Sequence, residues 1–186
     1  MGRLIYLMNV TLDGFVETAD HRPEPFQPDE ELHAWFNDQA RAADAFLYGR
    51  RMYEVMADYW PTASSDPAAT AVERDFAAIW SATPKVVFST SLERVDWNSR
   101  LVAGDAGEVL GDLRREYDGD LAVGGPTLAA EFIRRGLVDE YRLVVHPIVL
   151  GAGTPFFPPL QEPLRLSLVE SRRFTSGVLY LGYRPR

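Results

Sequence analysis

Residues 3–133 alternate short apolar runs with stretches of helical periodicity, and after residue 138 the alternation gives way to extended runs. Side-chain period separates the two elements: about 2 residues for a strand, about 3.6 for a helix. Residues 3–10, 45–48, 85–89 and 121–123 read as strands. Residues 29–43 read as a helix, with Leu32, Trp35, Phe36, Ala40 and Ala43 on one face, and residues 50–59 and 107–117 read likewise. Asp66-Pro67 reads as a helix cap with proline in the first turn, leading to a stripe of Val72, Phe76, Ile79 and Trp80. A further helix carries Leu128, Phe132 and Ile133. Residues 141–149, 164–174 and 178–183 are strand-like, with Thr175-Ser176-Gly177 as a hairpin turn. Parallel strands need crossover connections, which are usually helices. The expectation is an α/β fold around a mixed sheet, parallel through most of its width and antiparallel at one side.

Residues 19–28 and 61–67 are rich in turn formers and read as surface loops. At 186 residues a single domain over 1–186 is expected. The net charge of -8 argues against non-specific binding to nucleic acid or to an anionic membrane surface. No apolar run approaches the roughly 20 residues of a membrane span, so a cytoplasmic location is the default expectation. There is no cysteine, which excludes disulfides, thiol catalysis and thiolate-bound metal.

Ligands of open α/β sheets bind beyond the carboxyl ends of parallel strands. Three turns fall there. In the first, Gly124-Gly125-Pro126-Thr127-Leu128 follows a strand and opens a helix. Glycine permits close approach of backbone to ligand, and a helix start offers free N–H groups and a positive dipole end, which suit phosphate. In the second, Gly49-Arg50-Arg51 follows a strand and offers guanidinium groups for bidentate phosphate contacts. In the third, Ser89, Thr90 and Ser91 place three hydroxyls just past a strand. Each turn taken alone also reads as structural: a tight connection, two solvated arginines, a capped turn. The dinucleotide fingerprint G-x-G-x-x-G is absent, as is the P-loop motif.

In this order, the motifs Thr11-Leu12-Asp13-Gly14, Leu47-Tyr48-Gly49-Arg50-Arg51-Met52-Tyr53-Glu54, residues 86–92, Val123-Gly124-Gly125-Pro126-Thr127-Leu128 and residues 146–157 span most of the chain. Together they resemble the dihydrofolate reductase-like superfamily, and within it the RibD C-terminal domain family of riboflavin-biosynthesis reductases. The resemblance implies a three-layer fold with NADPH as hydride donor. It implies that the cofactor is held by Gly49, Arg50 and Arg51, by Ser89, Thr90 and Ser91, and by Gly124, Gly125, Pro126, Thr127 and Leu128. Val10 and Leu12, at the end of the first strand, would lie beside the nicotinamide. Many relatives carry arginine where this chain has Thr90, so NADH stays open beside NADPH. A homodimer is also implied, with the apolar strands near the C-terminus, residues 141–149 and 178–183, as candidate contacts.

Reduction of a heterocycle also needs a proton, and a buried carboxylate of raised pKa suits that role. Asp13 is the candidate, although Asp-Gly is also a common turn pair; Asp29, Glu30 and Glu31 are alternatives at a helix start, where the dipole favours acids in any case. His21, His33 and His146 are weaker candidates, too far apart in sequence to suggest a metal site. The implied substrate is a small pyrimidine- or pterin-like heterocycle, as for 5-amino-6-(5-phosphoribosylamino)uracil reductase. Dihydrofolate reduction and a non-catalytic NADPH-binding module are the alternatives.

Overall fold

The computed structural model describes residues 2–20 and 26–186. His21 and two of the prolines of the first expected loop, Pro23 and Pro25, lie outside the described residues. The elements in chain order are β1 (Leu4–Thr11), β2 (Phe15–Glu17), α1 (Glu30–Arg41), β3 (Ala43–Gly49), α2 (Arg50–Ala63), α3 (Ala71–Ala82), β4 (Lys85–Phe88), β5 (Ser99–Val102), α4 (Ala106–Glu116), β6 (Asp120–Gly124), α5 (Pro126–Arg134), β7 (Glu140–His146), β8 (Thr154–Pro155), β9 (Leu166–Arg173) and β10 (Leu179–Pro185).

Eight strands form one sheet in the order β5-β4-β3-β6-β1-β7-β10-β9, and β2 pairs with β8 in a separate ribbon. The first six strands of that order run parallel. β10 then pairs antiparallel with β7, and β9 with β10. This is the mixed sheet expected from the alternation and the final hairpin. Helices cover both faces. On one, Leu110 and Leu113 of α4 and Leu128, Ala129, Phe132 and Ile133 of α5 pack on Leu4, Tyr6, Val10 and Val123. On the other, Leu32 and Trp35 of α1 meet Val144, Phe174 and Tyr180, while Tyr53 of α2 and Ile79 and Trp80 of α3 meet Phe46, Tyr48 and Val87.

Local chemistry explains most boundaries. The Asp29 carboxylate caps α1 by accepting from the Leu32 N–H at 2.8 Å. The helix expected from Asp66-Pro67 starts later. Asp66 accepts from the Ala68 N–H and shapes a turn, and Thr70 with Glu73 forms the reciprocal capping box that opens α3. Pro61 lies within the final turn of α2 rather than in a loop. There it removes a single helical hydrogen bond. β7 stops at His146, short of the expected residue 149, because Pro147 has no N–H to offer a ladder. The short strands β2, β5 and β8 were not expected from the sequence.

Candidate active site

β3 and β6 lie side by side, with Tyr48 opposite Gly124, and each runs straight into a helix at the same edge of the sheet. The caps of those helices, Gly49 and Gly125, provide no side-chain hydrogen bond. By contrast α1, α3 and α4 are all capped by an Asp or Thr side chain. The leading N–H groups of α2 and α5 therefore have no capping side-chain oxygen, and the strands that lead into these helices lie one spacing, about 5 Å, apart. No acidic residue occupies either first turn. Gly125 sits at φ +89, a left-handed backbone, and a Cβ there would approach the Met52 Cβ to 3.1 Å. A Cβ at Gly124 would come within 2.7 Å of the buried Tyr48 ring. Pro126 holds the first position of α5, Thr127 is exposed beside it, and Leu128 is buried in the core.

The structure brings the second and third predicted turns together. Gly49 is opposite Phe88, the last residue of β4, in the parallel ladder. From the start of α2, the Arg50 guanidinium donates to the Ser91 Oγ at 3.1 Å and pairs with Glu54. The Ser89 Oγ accepts from the N–H groups of Ser91 and Leu92, so this hydroxyl holds the turn in shape. Thr90 and Ser91 are exposed. Arg51 turns the other way. Its guanidinium pairs with Glu17 of β2, whose carboxylate also accepts from the Thr154 hydroxyl of β8 at 2.7 Å. Arg50 thus joins α2 to the turn after β4, and Arg51 ties α2 to the β2–β8 ribbon.

The end of β1 lies on the far side of β6. Val10 is buried in the core, so only its backbone faces the edge, while Leu12 is exposed and donates its N–H to the Ile148 carbonyl at 2.8 Å. Asp13 is exposed. Its carboxylate accepts from the Thr11 hydroxyl (2.6 Å), the Gly151 N–H (2.7 Å) and the Leu150 N–H (3.2 Å). The Thr11 hydroxyl and these backbone donors hold it below the usual carboxylate range. That is the reverse of the raised value sought for a proton donor. Asp13 clamps the turn after β1 to the loop after β7.

His33 packs between helices, against the rings of Trp60 and Phe76, and burial lowers its pKa. His146 is different. It ends β7 at the same sheet edge, only 4% exposed, with its Nε2 2.9 Å from the Asn9 Oδ1 of β1. The Phe26 ring lies 4.8 Å from the imidazole. Asn9 was not singled out from the sequence, although one amide within an otherwise apolar strand run is a visible signal.

Two glycine-capped helix starts on adjacent strands, at the carboxyl edge of an open α/β sheet, suit an anionic group such as a phosphate. The model of the RibD C-terminal domain matches residues 3–180, and the chain belongs to that family. An uncharacterised protein of Bacillus subtilis, YyaP, is 32% identical over 97% of this chain and 94% of its own length. A protein of Shewanella sp. PV-4 assigned to riboflavin biosynthesis superposes with a TM-score of 0.74 at 20% identity, covering 99% of both chains. A diaminohydroxyphosphoribosylaminopyrimidine deaminase/5-amino-6-(5-phosphoribosylamino)uracil reductase of Thermotoga maritima gives a TM-score of 0.70 at 14% identity. It covers all of this chain and 57% of the bifunctional one. Dihydrofolate reductase of Enterococcus faecalis, complexed with NADP(H), gives 0.66 at 13% identity over 100% and 97% of the two chains. The fold is dihydrofolate reductase-like.

Proposed function

We propose that this chain is an NADPH-dependent reductase that delivers a hydride to a small pyrimidine- or pterin-like heterocycle, and that it acts as a homodimer. The observation that carries the reading is the pair of glycine-capped helix starts on β3 and β6, with Arg50 beside them. These residues fit a dinucleotide. The N–H groups that open α2 and α5 would take the pyrophosphate oxygens, and Gly125 leaves room for backbone to approach them. Arg50, Thr90 and Ser91 would meet the 2′-phosphate, with NADH accepted more weakly. Gly49, Gly124, Pro126, Thr127 and Leu128 shape the wall, and Ser89 keeps the third turn in register. Arg51 belongs to the clasp on Glu17. When bound, the dihydronicotinamide supplies the hydride. The protein's part is to orient two rings over the end of β1, at Val10 and Leu12, and to exclude water. Asp13 serves this by fixing the loop that follows β1.

A second reading is an NADPH-binding module without turnover. The exposure and lowered pKa of Asp13 favour it, because they remove the residue expected to supply the proton. One experiment addresses both readings. Tryptophan fluorescence is titrated with NADPH and NADH in the wild type and in Arg50→Ala, and NADPH oxidation is then followed with pterin and pyrimidine acceptors. The reductase reading expects NADPH to bind more tightly than NADH and Arg50→Ala to lose about tenfold in NADPH affinity, the scale of one charged phosphate contact. Binding without oxidation of any acceptor would favour the module. Absence of binding at millimolar nucleotide would overturn both.

A further inference from the structure

At the amino end of the parallel strands, α1 closes at Arg41 and the chain bends through Ala42 into β3. Ala42, Ala43 and Ala122 are too small to fill the space over Ile5 and Leu7 of β1, and a cavity of about 190 Å³, partly open to solvent, is left there. A cavity of about 150 Å³ with aliphatic walls is enough to hold a benzene ring. From Ile5 to Thr11, where the candidate active site begins, is about 20 Å along β1.

The rim of the cavity is polar. Arg3 donates to Asp120 at 3.1 Å and to Glu140 at 2.6 Å. Arg142 donates through Nε to Glu140 at 2.7 Å and through Nη1 to the Gln39 Oε1 at 2.6 Å. Arg184 donates to the same Glu140, which is buried, at 2.9 Å. Three guanidinium groups thus face two carboxylates, and the cluster keeps one positive charge. A guanidinium can only donate, so the Gln39 amide presents its oxygen to Arg142 and its N–H groups remain. The Arg142 Nη2 and the Gln39 amide nitrogen have no partner among the described residues, and neither is sealed in the interior. Both residues line the cavity. What they leave unused is donors alone, so the polar end of an occupant must be an acceptor.

We infer that this cavity is a second binding site, for a small monocarboxylate with a ring-sized apolar body. The body would displace loosely held water from Ile5, Leu7 and the alanines. The carboxylate would accept from Arg142 or Gln39 in a partly desolvated place, where a charge-assisted bond is stronger than in water. The closing carbonyls of α1 favour a cation instead, so the sign of the charge is what an experiment must decide. The site does not depend on the reductase reading, and needs no nucleotide at the other edge of the sheet.

The test titrates 15N-labelled protein with benzoate at fixed pH and ionic strength, with benzyl alcohol and benzylammonium as neutral and cationic controls, and follows the backbone amide shifts. The expected result is saturable shifts at Ala42, Ala43 and Ala122, with benzoate at least about tenfold tighter than either control, the scale of one charge-assisted bond. Ala122→Leu fills the cavity without changing the charge and should abolish saturation. Ala42→Leu, at the exposed rim, serves the same purpose should the first variant impair folding. Gln39→Glu keeps an acceptor for Arg142 but removes the free N–H groups, and should weaken benzoate about tenfold. No saturation at tens of millimolar benzoate, equal affinity for a control, or binding that survives a filled cavity overturns the inference. A wild type that ignores benzoate while Ala122→Leu melts at a higher temperature would overturn it too, and leave the cavity a packing defect.

Discussion

Two glycines at the same sheet edge differ in what they tolerate. Gly125 is left-handed at φ +89 with Met52 packed against the place of its missing Cβ. Gly49 has φ -76, and a Cβ there would meet only the Leu128 Cβ at 3.7 Å, an ordinary contact. Gly125→Ala should therefore lose about 1–2 kcal/mol of stability from the backbone strain alone, and Gly49→Ala less than about 0.5 kcal/mol. Urea denaturation of the two variants reads the difference. Equal losses would mean that the turn after β6 relaxes without resistance. The Gly-Gly turn was legible in the sequence because only glycine serves such a backbone cheaply. The partners of Asp13 were not legible. Leu150 and Gly151 lie more than 130 residues away along the chain, and no local spacing announces that an Asp-Gly turn is tied to them. The Arg51–Glu17 pair was hidden for the same reason: adjacent arginines look alike in a sequence until a third element claims one of them.

At the scale of elements, long periodic segments were legible and short ones were not. β2 has three residues and β8 two, too few to show a period, yet their ribbon carries Glu17 and Thr154 to Arg51. α3 starts at the Thr70–Glu73 capping box, which satisfies two backbone groups at once, and not at Asp66-Pro67, the start expected from the sequence. The final hairpin brings a consequence of its own. β9 is an outer strand whose ladder partner among the described residues is β10, and Leu168 and Val169 on it are about half exposed. The opposite edge, β5, has only four residues. A long outer strand carrying apolar side chains is normally covered, and a second copy of the chain is the cover proposed here. Sedimentation analysis should find a dimer at micromolar concentration, with Val169→Lys shifting it toward monomer and NADPH affinity retained. A wild-type monomer at tens of micromolar would remove the dimer from the reading.

For the whole molecule, the kind of sheet was legible but not its order. Alternation implies parallel strands; that β6 inserts between β3 and β1 depends on contacts between segments more than 70 residues apart, beyond any local period. Stability against pH is likewise a property of the assembled fold. Lys85, the only lysine, is 1% exposed at the base of β4, where its ammonium donates to the carbonyls of Trp80 and Thr83. Burial lowers its pKa from 10.5 to about 8. Below pH 8 both folded and unfolded chains hold this proton and the burial penalty is complete. Between about pH 8 and the unfolded pKa the unfolded chain binds more protons, so stability must rise with pH. Tyr141 and Tyr180 act in the opposite sense: burial raises both to about 12, so above pH 10 the unfolded chain releases their protons first and stability falls. A stability maximum between those limits follows. Its rising limb is bounded at about 3 kcal/mol by the size of the lysine shift. Thermal melts of the wild type and Lys85→Met from about pH 7 to 10 isolate the effect, since every other titratable group is common to both. The wild type should gain on the variant as pH rises through 8. A constant difference across that range would show that Lys85 keeps an ordinary pKa in the fold, with its two carbonyl bonds offsetting the burial.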